Sequence, residues 1–268
     1  ASYTLQDALN DDVLTPYEYH LIEVSLTESE CEKYIALTKK ISQLIAQSKN
    51  SKDPSGSNNA LNILLSKRAR LINGTQNKPI ALKQLLTGMR PIKHSLFYCA
   101  EGSIDDGDDC DEDGLKQIQL ISQLLHSMNW RSSQFTANEG KDQRKSILNS
   151  FKNGDIDSLV AMKCLDEGID IPACSTAFIL ASSRKPRQFI QRRGRILRKS
   201  NGKAKAVIYD FFVTLPIDSV EDGGIERRLL IAELKRINEF ARLSINKGEA
   251  YRKLEPFLKK HDLTHHLT

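Results

Sequence analysis

From Pro16 to Leu26 apolar positions alternate along P-Y-E-Y-H-L-I-E-V-S-L, setting Tyr17, Tyr19 and Leu21 on one side of a strand and Ile22, Val24 and Leu26 on the other. Thr27 with Glu30 three residues on is a capping box, and it opens a predicted helix to about Gln47. The polar run S-K-D-P-S-G-S-N-N, Ser51 to Asn59, predicts a flexible break. Leu61–Ile72 then has helical spacing, with Lys67, Arg68 and Arg70 clustered, and Pro79–Met89 predicts a third helix. Ala1–Asn10 yields no complete element. From Ile92 the pattern changes to short apolar runs alternating with helices. Strands are predicted at His94–Cys99, Ser132–Phe135, Asp157–Met162, Ser175–Ala181 and Lys205–Phe211, with helices at Leu115–Met128 and Lys141–Asn153. This alternation is the mark of an α/β sheet with parallel strands. Beyond Pro216 a long helix is expected from Ile225 to Asn246, with Leu230, Leu234, Ile237 and Ala241 in one stripe. Packing on the sheet is the favoured use of that stripe, and partner binding the other. Gly248 punctuates it, Tyr251–Lys260 adds a turn or two, and His261, His265 and His266 read as a frayed end.

The 268 residues are 40% hydrophobic and 27% charged, enough material for one large domain or two small ones. Lysine and arginine number 39 against 34 acids, a net charge of +5 that suits a polyanionic partner without specifying one. No run of eighteen apolar residues occurs and the first residues lack a signal pattern, so an intracellular, cytoplasmic protein with no membrane partner is expected. The five cysteines (Cys31, Cys99, Cys110, Cys164, Cys174) are scattered without a C-x-x-C, which points to buried thiols in a reducing compartment rather than zinc or disulfides. An acidic stretch from Asp105 to Gly114 puts Asp109, Asp111, Asp113 and Gly114 at the first positions of a calcium loop. Leu120 stands where the bidentate glutamate belongs, so a solvated insertion is expected instead. No metal site is predicted.

The richest chemistry lies between Ser183 and Lys199, S-R-K-P-R-Q-F-I-Q-R-R-G-R-I-L-R-K. Pro186 suits the first turn of a helix, on which Gln191, Arg195 and Arg198 fall at spacings of four and three and so share a face. Two guanidinium forks and an amide converging there make a clamp for a terminal phosphate, and Gly194 leaves the face open to close approach. A basic tract on a solvated helix, or a nucleic-acid patch, is the other reading. Upstream, Leu159 to Pro172 reads L-V-A-M-K-C-L-D-E-G-I-D-I-P, a strand running into a G-I-D turn.

Together these stretches resemble motifs V and VI of the superfamily 2 helicases and translocases of the DEAD/DEAH type. Gln191, Arg192, Gly194, Arg195 and Arg198 match every fixed position of Q-R-x-G-R-x-x-R, and Gly168, Ile169 and Asp170 match the motif V turn. The resemblance implies a RecA-like (P-loop NTPase-type) parallel sheet with flanking helices, plus helical segments at both ends. It further implies an inter-domain bridge over residues 1–91, a helicase C-terminal domain over 92–215 and a helical extension over 216–268. Gln191, Arg195 and Arg198 would face the ATP γ-phosphate, the two arginines as fingers. Gly168 and Asp170 would serve the ribose and inter-domain coupling, and Arg192 the nucleotide cleft or the partner lobe. Thr136, in the turn F-T-A-N-E-G-K, is either a phosphate-binding hydroxyl or a local cap. Met162 stands where many relatives have a threonine, and with Lys163 it completes the expected nucleic-acid face. The wording of L-D-E-G-I-D-I-P and Q-R-R-G-R-I-L-R is more similar to DNA repair and restriction-type translocases, which favours DNA over RNA as the track.

No G-x-x-x-x-G-K-[ST] and no D-E-x-H tetrad occurs; Gly140-Lys141 and Gly202-Lys203 lack the earlier glycine and the following hydroxyl. ATP and Mg²⁺ would therefore be bound mainly by a missing N-terminal RecA-like lobe, and this chain alone is expected to be inactive. The alternatives are a nucleic-acid-binding module that has lost its motor function, and a scaffold that docks a separate ATPase.

Overall fold

Ser95–Tyr98, Ser158–Ala161 and Thr176–Ile179 are buried at every position, so each must be covered on both faces, as strands inside a sheet between two helical layers are. The computed structural model describes residues 5–50, 54–100, 110–136, 138–162, 174–181, 194–200, 202–215, 225–260 and 264. Among the described residues six strands form one all-parallel sheet: β1 (Tyr17–Ser25), β2 (Ser95–Tyr98), β3 (Ser132–Phe135), β4 (Ser158–Ala161), β5 (Thr176–Ile179) and β6 (Ala206–Thr214). Their order is β1-β6-β5-β2-β4-β3, which with its flanking helices is the RecA-like α/β architecture. The helices are α1 (Leu5–Asn10), α2 (Glu28–Asn50), α3 (Pro54–Asn73), α4 (Asn77–Leu86), α5 (Cys110–Ser127), α6 (Lys141–Asn153), α7 (Ile225–Arg242) and α8 (Lys247–Lys260).

Each face of the sheet has its own core. On one, Tyr17, Tyr19, Leu96, Leu159, Ala177 and Ile208 pack against α6, α7 and α8. On the other, Val24, Phe97, Val160, Phe178 and Phe211 meet α2, α4 and α5. An aromatic ladder crosses this second face in strand register: Phe97 stacks on Phe178 at 4.3 Å, Phe178 on Tyr209 at 5.0 Å, and Tyr209 on His20 at 5.2 Å. The first face carries a charged cluster instead. Arg236 of α7 bonds Asp210 of β6 and Glu233, and the Tyr19 hydroxyl donates to Asp210 at 2.7 Å. Asp210 is wholly buried and Arg236 is 4% exposed, so each charge depends on its partner.

The predicted strands fall where expected, with β6 running on to Thr214. The strand assigned to the bridge, β1, is the edge of the same sheet, paired with β6 along its whole length. Helix boundaries differ from expectation in several places. The first residues do hold a short helix, α1, because Ala8 and Leu9 pack inward. The predicted break at 51–59 is narrower, since α3 starts at Pro54, a residue suited to a first helical turn. Helix α5 begins at Cys110, ahead of the expected Leu115. The tail of the acidic stretch, residues 110–114, is therefore part of this helix. The long C-terminal helix ends at Arg242, and Gly248 lies inside α8 instead of ending a helix.

Candidate functional site

Parallel strands carry their ligands at the carboxyl edge, where β2 runs into Ala100, β3 into Thr136, β4 into Met162 and β5 into Leu180. At the end of β2 the backbone is held by Gln117 of α5, which accepts from the Ala100 amide at 2.5 Å and donates to the Asn73 carbonyl at 3.1 Å. At the end of β3, Thr136 is 3% exposed. Its amide and its hydroxyl both donate to the Glu139 carboxylate, at 2.5 and 3.0 Å, and its hydroxyl accepts from the Asn138 amide. Arg144 of α6 closes the turn by donating to the Thr136 carbonyl at 2.9 Å, with its guanidinium 5.9 Å from the centre of the Phe135 ring. The helix N-cap itself is Gly140, so the hydroxyl of Thr136 is engaged in a turn clasp ahead of α6. At the end of β4, Met162 is half-buried and packs on the α2, α4 and α5 side. Lys163, Gly168, Asp170, Gln191 and Arg192 lie outside the described residues.

The end of the arginine-rich segment is described. Residues 194–197 are helical, Ile196 and Leu197 are fully buried, Arg195 is half-buried and Arg198 exposed. A Cβ built on Gly194 would meet nothing within 4 Å, so the backbone there is open to approach. The helix stops one residue before Arg198, whose backbone instead forms an antiparallel bridge with Leu14. The shared helical face expected from the spacing therefore does not reach Arg198. The physical reason is local: the Thr15 amide takes the Leu197 carbonyl at 2.7 Å. The Lys203 ammonium takes the Ile196 carbonyl and, at 3.0 Å, the Arg198 carbonyl. Asp12 pairs with Lys199 at the surface. In the sequence Lys203 stands out only as a lysine outside any complete phosphate loop. The available signal was a cation just past a helix end, where it meets free carbonyls.

Other chemistry is limited by burial. It pushes the Cys174 thiol up to about 12 and the Cys99 thiol higher still, so neither is a thiolate nucleophile near neutral pH. Cys31, Cys99 and Cys174 are free thiols. Among the described residues no group of three metal-ligating side chains converges, and no helix is long and apolar enough to cross a membrane. A cavity of about 340 Å³ opens among Leu21, Phe212, Thr214, Lys253, Leu254 and Phe257, and none of the described motif residues lines it.

Residues 79–200 match the helicase conserved C-terminal domain. The DNA 3'-5' translocase XPB2 of Sulfurisphaera tokodaii is 42% identical over 64 residues, 24% of this chain and 15% of that protein. UvrABC system protein B of Pseudothermotoga lettingae is 27% identical over 156 residues, 56% of this chain and 24% of that protein. The chain thus spans less than a quarter of the length of these relatives. Among solved structures, the RNA helicase Prp28 of Chaetomium thermophilum bound to ADP superposes with a TM-score of 0.46 at 16% identity, over 63% of this chain and 35% of that one. The match over residues 79–200 and the all-parallel sheet thus make this part of the chain similar to the C-terminal RecA-like lobe of the superfamily 2 helicases.

Proposed function

We propose that this chain is the second motor lobe of an ATP-dependent helicase or translocase acting on nucleic acid, DNA in preference to RNA. The observation that carries the reading is the intact Q-R-R-G-R-I-L-R segment inside the matched domain, in a chain without a phosphate loop. Gln191, Arg195 and Arg198 are assigned to the terminal phosphate of ATP, Gly168, Asp170 and Arg192 to the rest of the nucleotide cleft. Met162 and Lys163 are assigned to the nucleic-acid side, and Thr136, whose hydroxyl is held by Glu139, to shaping the turn beside them. Arg195 and Arg198 both reach solvent beside the open backbone of Gly194, which fits a planar anion clamp completed from outside this lobe. ATP with Mg²⁺, held mainly by an N-terminal RecA-like lobe, would supply the free energy of phosphoryl transfer. This chain's arginines would then stabilise negative charge on the transferred group, and its sheet would hold them rigidly while the lobes close. The names of the two relatives, a DNA translocase and a UvrABC component, favour DNA as the track.

The test is hydrolysis by the natural full-length protein, with and without single-stranded DNA, duplex DNA and RNA, beside Arg195→Ala and Arg198→Ala. Stimulation by DNA should fall roughly 10³-fold or more in both variants with the fold retained. Hydrolysis indifferent to both substitutions would remove the arginines from the mechanism.

A further inference from the structure

The final carbonyls of a helix have no partner within it, and their fate decides how firmly the last turn is held. Here three consecutive carbonyls at the end of the arginine segment are each taken by a donor from outside it. Ile196 and Arg198 accept from the Lys203 ammonium, and Leu197 accepts from the Thr15 amide. Both donors are fixed to the sheet. Lys203 follows a tight turn, its amide on the Ser200 carbonyl at 3.1 Å with Gly202 at φ +80°, a left-handed conformation that suits glycine. The strand β6 starts three residues later, and the Ala206 amide bonds the Pro16 carbonyl at 2.9 Å. Thr15 and Lys203 thus stand just ahead of two strands that pair along their whole length. Burial lowers the Lys203 pKa, with the nearby Cys174 opposing the shift, as expected of an amine drawn under the helix end rather than left in water.

We infer that Lys203 is a positioning residue for Arg195 and Arg198, acting through the backbone carbonyls of Ile196 and Arg198, and that the Thr15 amide is the second half of the same clamp. The inference rests on the assignment of those arginines to the nucleotide. The exposed Asp12–Lys199 pair adds little by itself.

The experiment uses the natural full-length protein and two readouts, DNA-stimulated ATPase kinetics and hydrogen exchange at the amides of residues 194–200. Lys203→Met should lower kcat by about tenfold to a hundredfold with little change in KM, as expected when catalytic groups are displaced slightly. It should also speed exchange at residues 194–200, and Lys203→Arg should restore most of both. The double variant with Arg195→Ala should be no slower than Arg195→Ala alone. Thr15→Pro, which removes the amide donor, should reproduce the pattern and stands in if Lys203→Met does not fold. Wild-type kcat and exchange in Lys203→Met, or in Thr15→Pro, would overturn the clamp, as would losses that multiply in the double variant. Full activity in Arg195→Ala would sink the functional assignment instead, and faster exchange in Lys203→Met would then uphold the clamp as a structural device alone.

Discussion

Lys78 is 1% exposed, and its side-chain nitrogen donates to the carbonyls of Ile72 and Asn73 at 3.0 and 3.1 Å, closing the C-terminal end of α3. Burial pushes this amine down to about 7, and a neutral amine still has two N–H groups for the two carbonyls. The sign follows by linkage. Below about pH 7 the group is protonated in both states and the full burial penalty opposes folding. From there to about pH 10 only the unfolded chain binds the proton, so stability rises, by up to about 1.4 kcal/mol per pH unit. Denaturant titrations at pH 7 and pH 9 should show that rise in the natural sequence and its loss in Lys78→Met; parallel pH profiles would refute the assignment. Residues of this kind mark where sequence reading stops. The helical position of Arg195 is legible because it is set locally, next to Gly194. Arg198 was misplaced on the helix because what ends that helix, the backbone of Leu14 and Thr15, is remote in sequence. Lys203 was passed over for the same reason.

The strands and most helices were legible because burial is periodic: β1 alternates between buried and half-buried positions until its last residues, and the central strands are apolar throughout. Less legible was how β1, a sheet edge, is protected on its open side. Asn246, in the turn between α7 and α8, accepts from the Tyr19 amide at 2.8 Å and donates to the Tyr19 carbonyl at 3.1 Å, so one side chain plays the part of a neighbouring strand. The Ile245 amide takes the Tyr17 carbonyl at 2.8 Å, and Lys253 of α8 reaches the Leu21 carbonyl at 3.3 Å. No local pattern announces such a role, since asparagine in a turn before a helix is unexceptional. Asn246→Ala should strip the Tyr19 backbone of both partners and cost about 1–3 kcal/mol in urea unfolding. A change within a few tenths would mean that water replaces the amide freely.

At the scale of the molecule, α7 and α8 cover the face that holds Tyr17, Tyr19 and Leu21, and Arg236 of α7 neutralises the buried Asp210. Sheet packing, the favoured use of the Leu230–Ala241 stripe, is what the structure shows, with Leu230, Leu234, Ile237, Phe240 and Ala241 all in the core. A chain ended after Leu215 loses that cover and strands Asp210 without its guanidinium, so it should be insoluble or bind the dye ANS strongly. A soluble, cooperatively melting product would show that the sheet stands without its C-terminal helices.

The pairing of β1 with β6 has a further consequence. Tyr19 and Asp210, bonded across it, are 191 positions apart in the sequence. A ribosome delivers β1 first, and at about 5–20 residues per second the nascent chain must carry that tyrosine-rich strand without its mate for about ten seconds or longer. During that interval the strand is an open template for any other extended segment nearby, including its own copy on a neighbouring ribosome of the same messenger. Expression yield should therefore respond to synthesis rate and to chaperone supply more steeply than the stability of the finished fold alone would suggest.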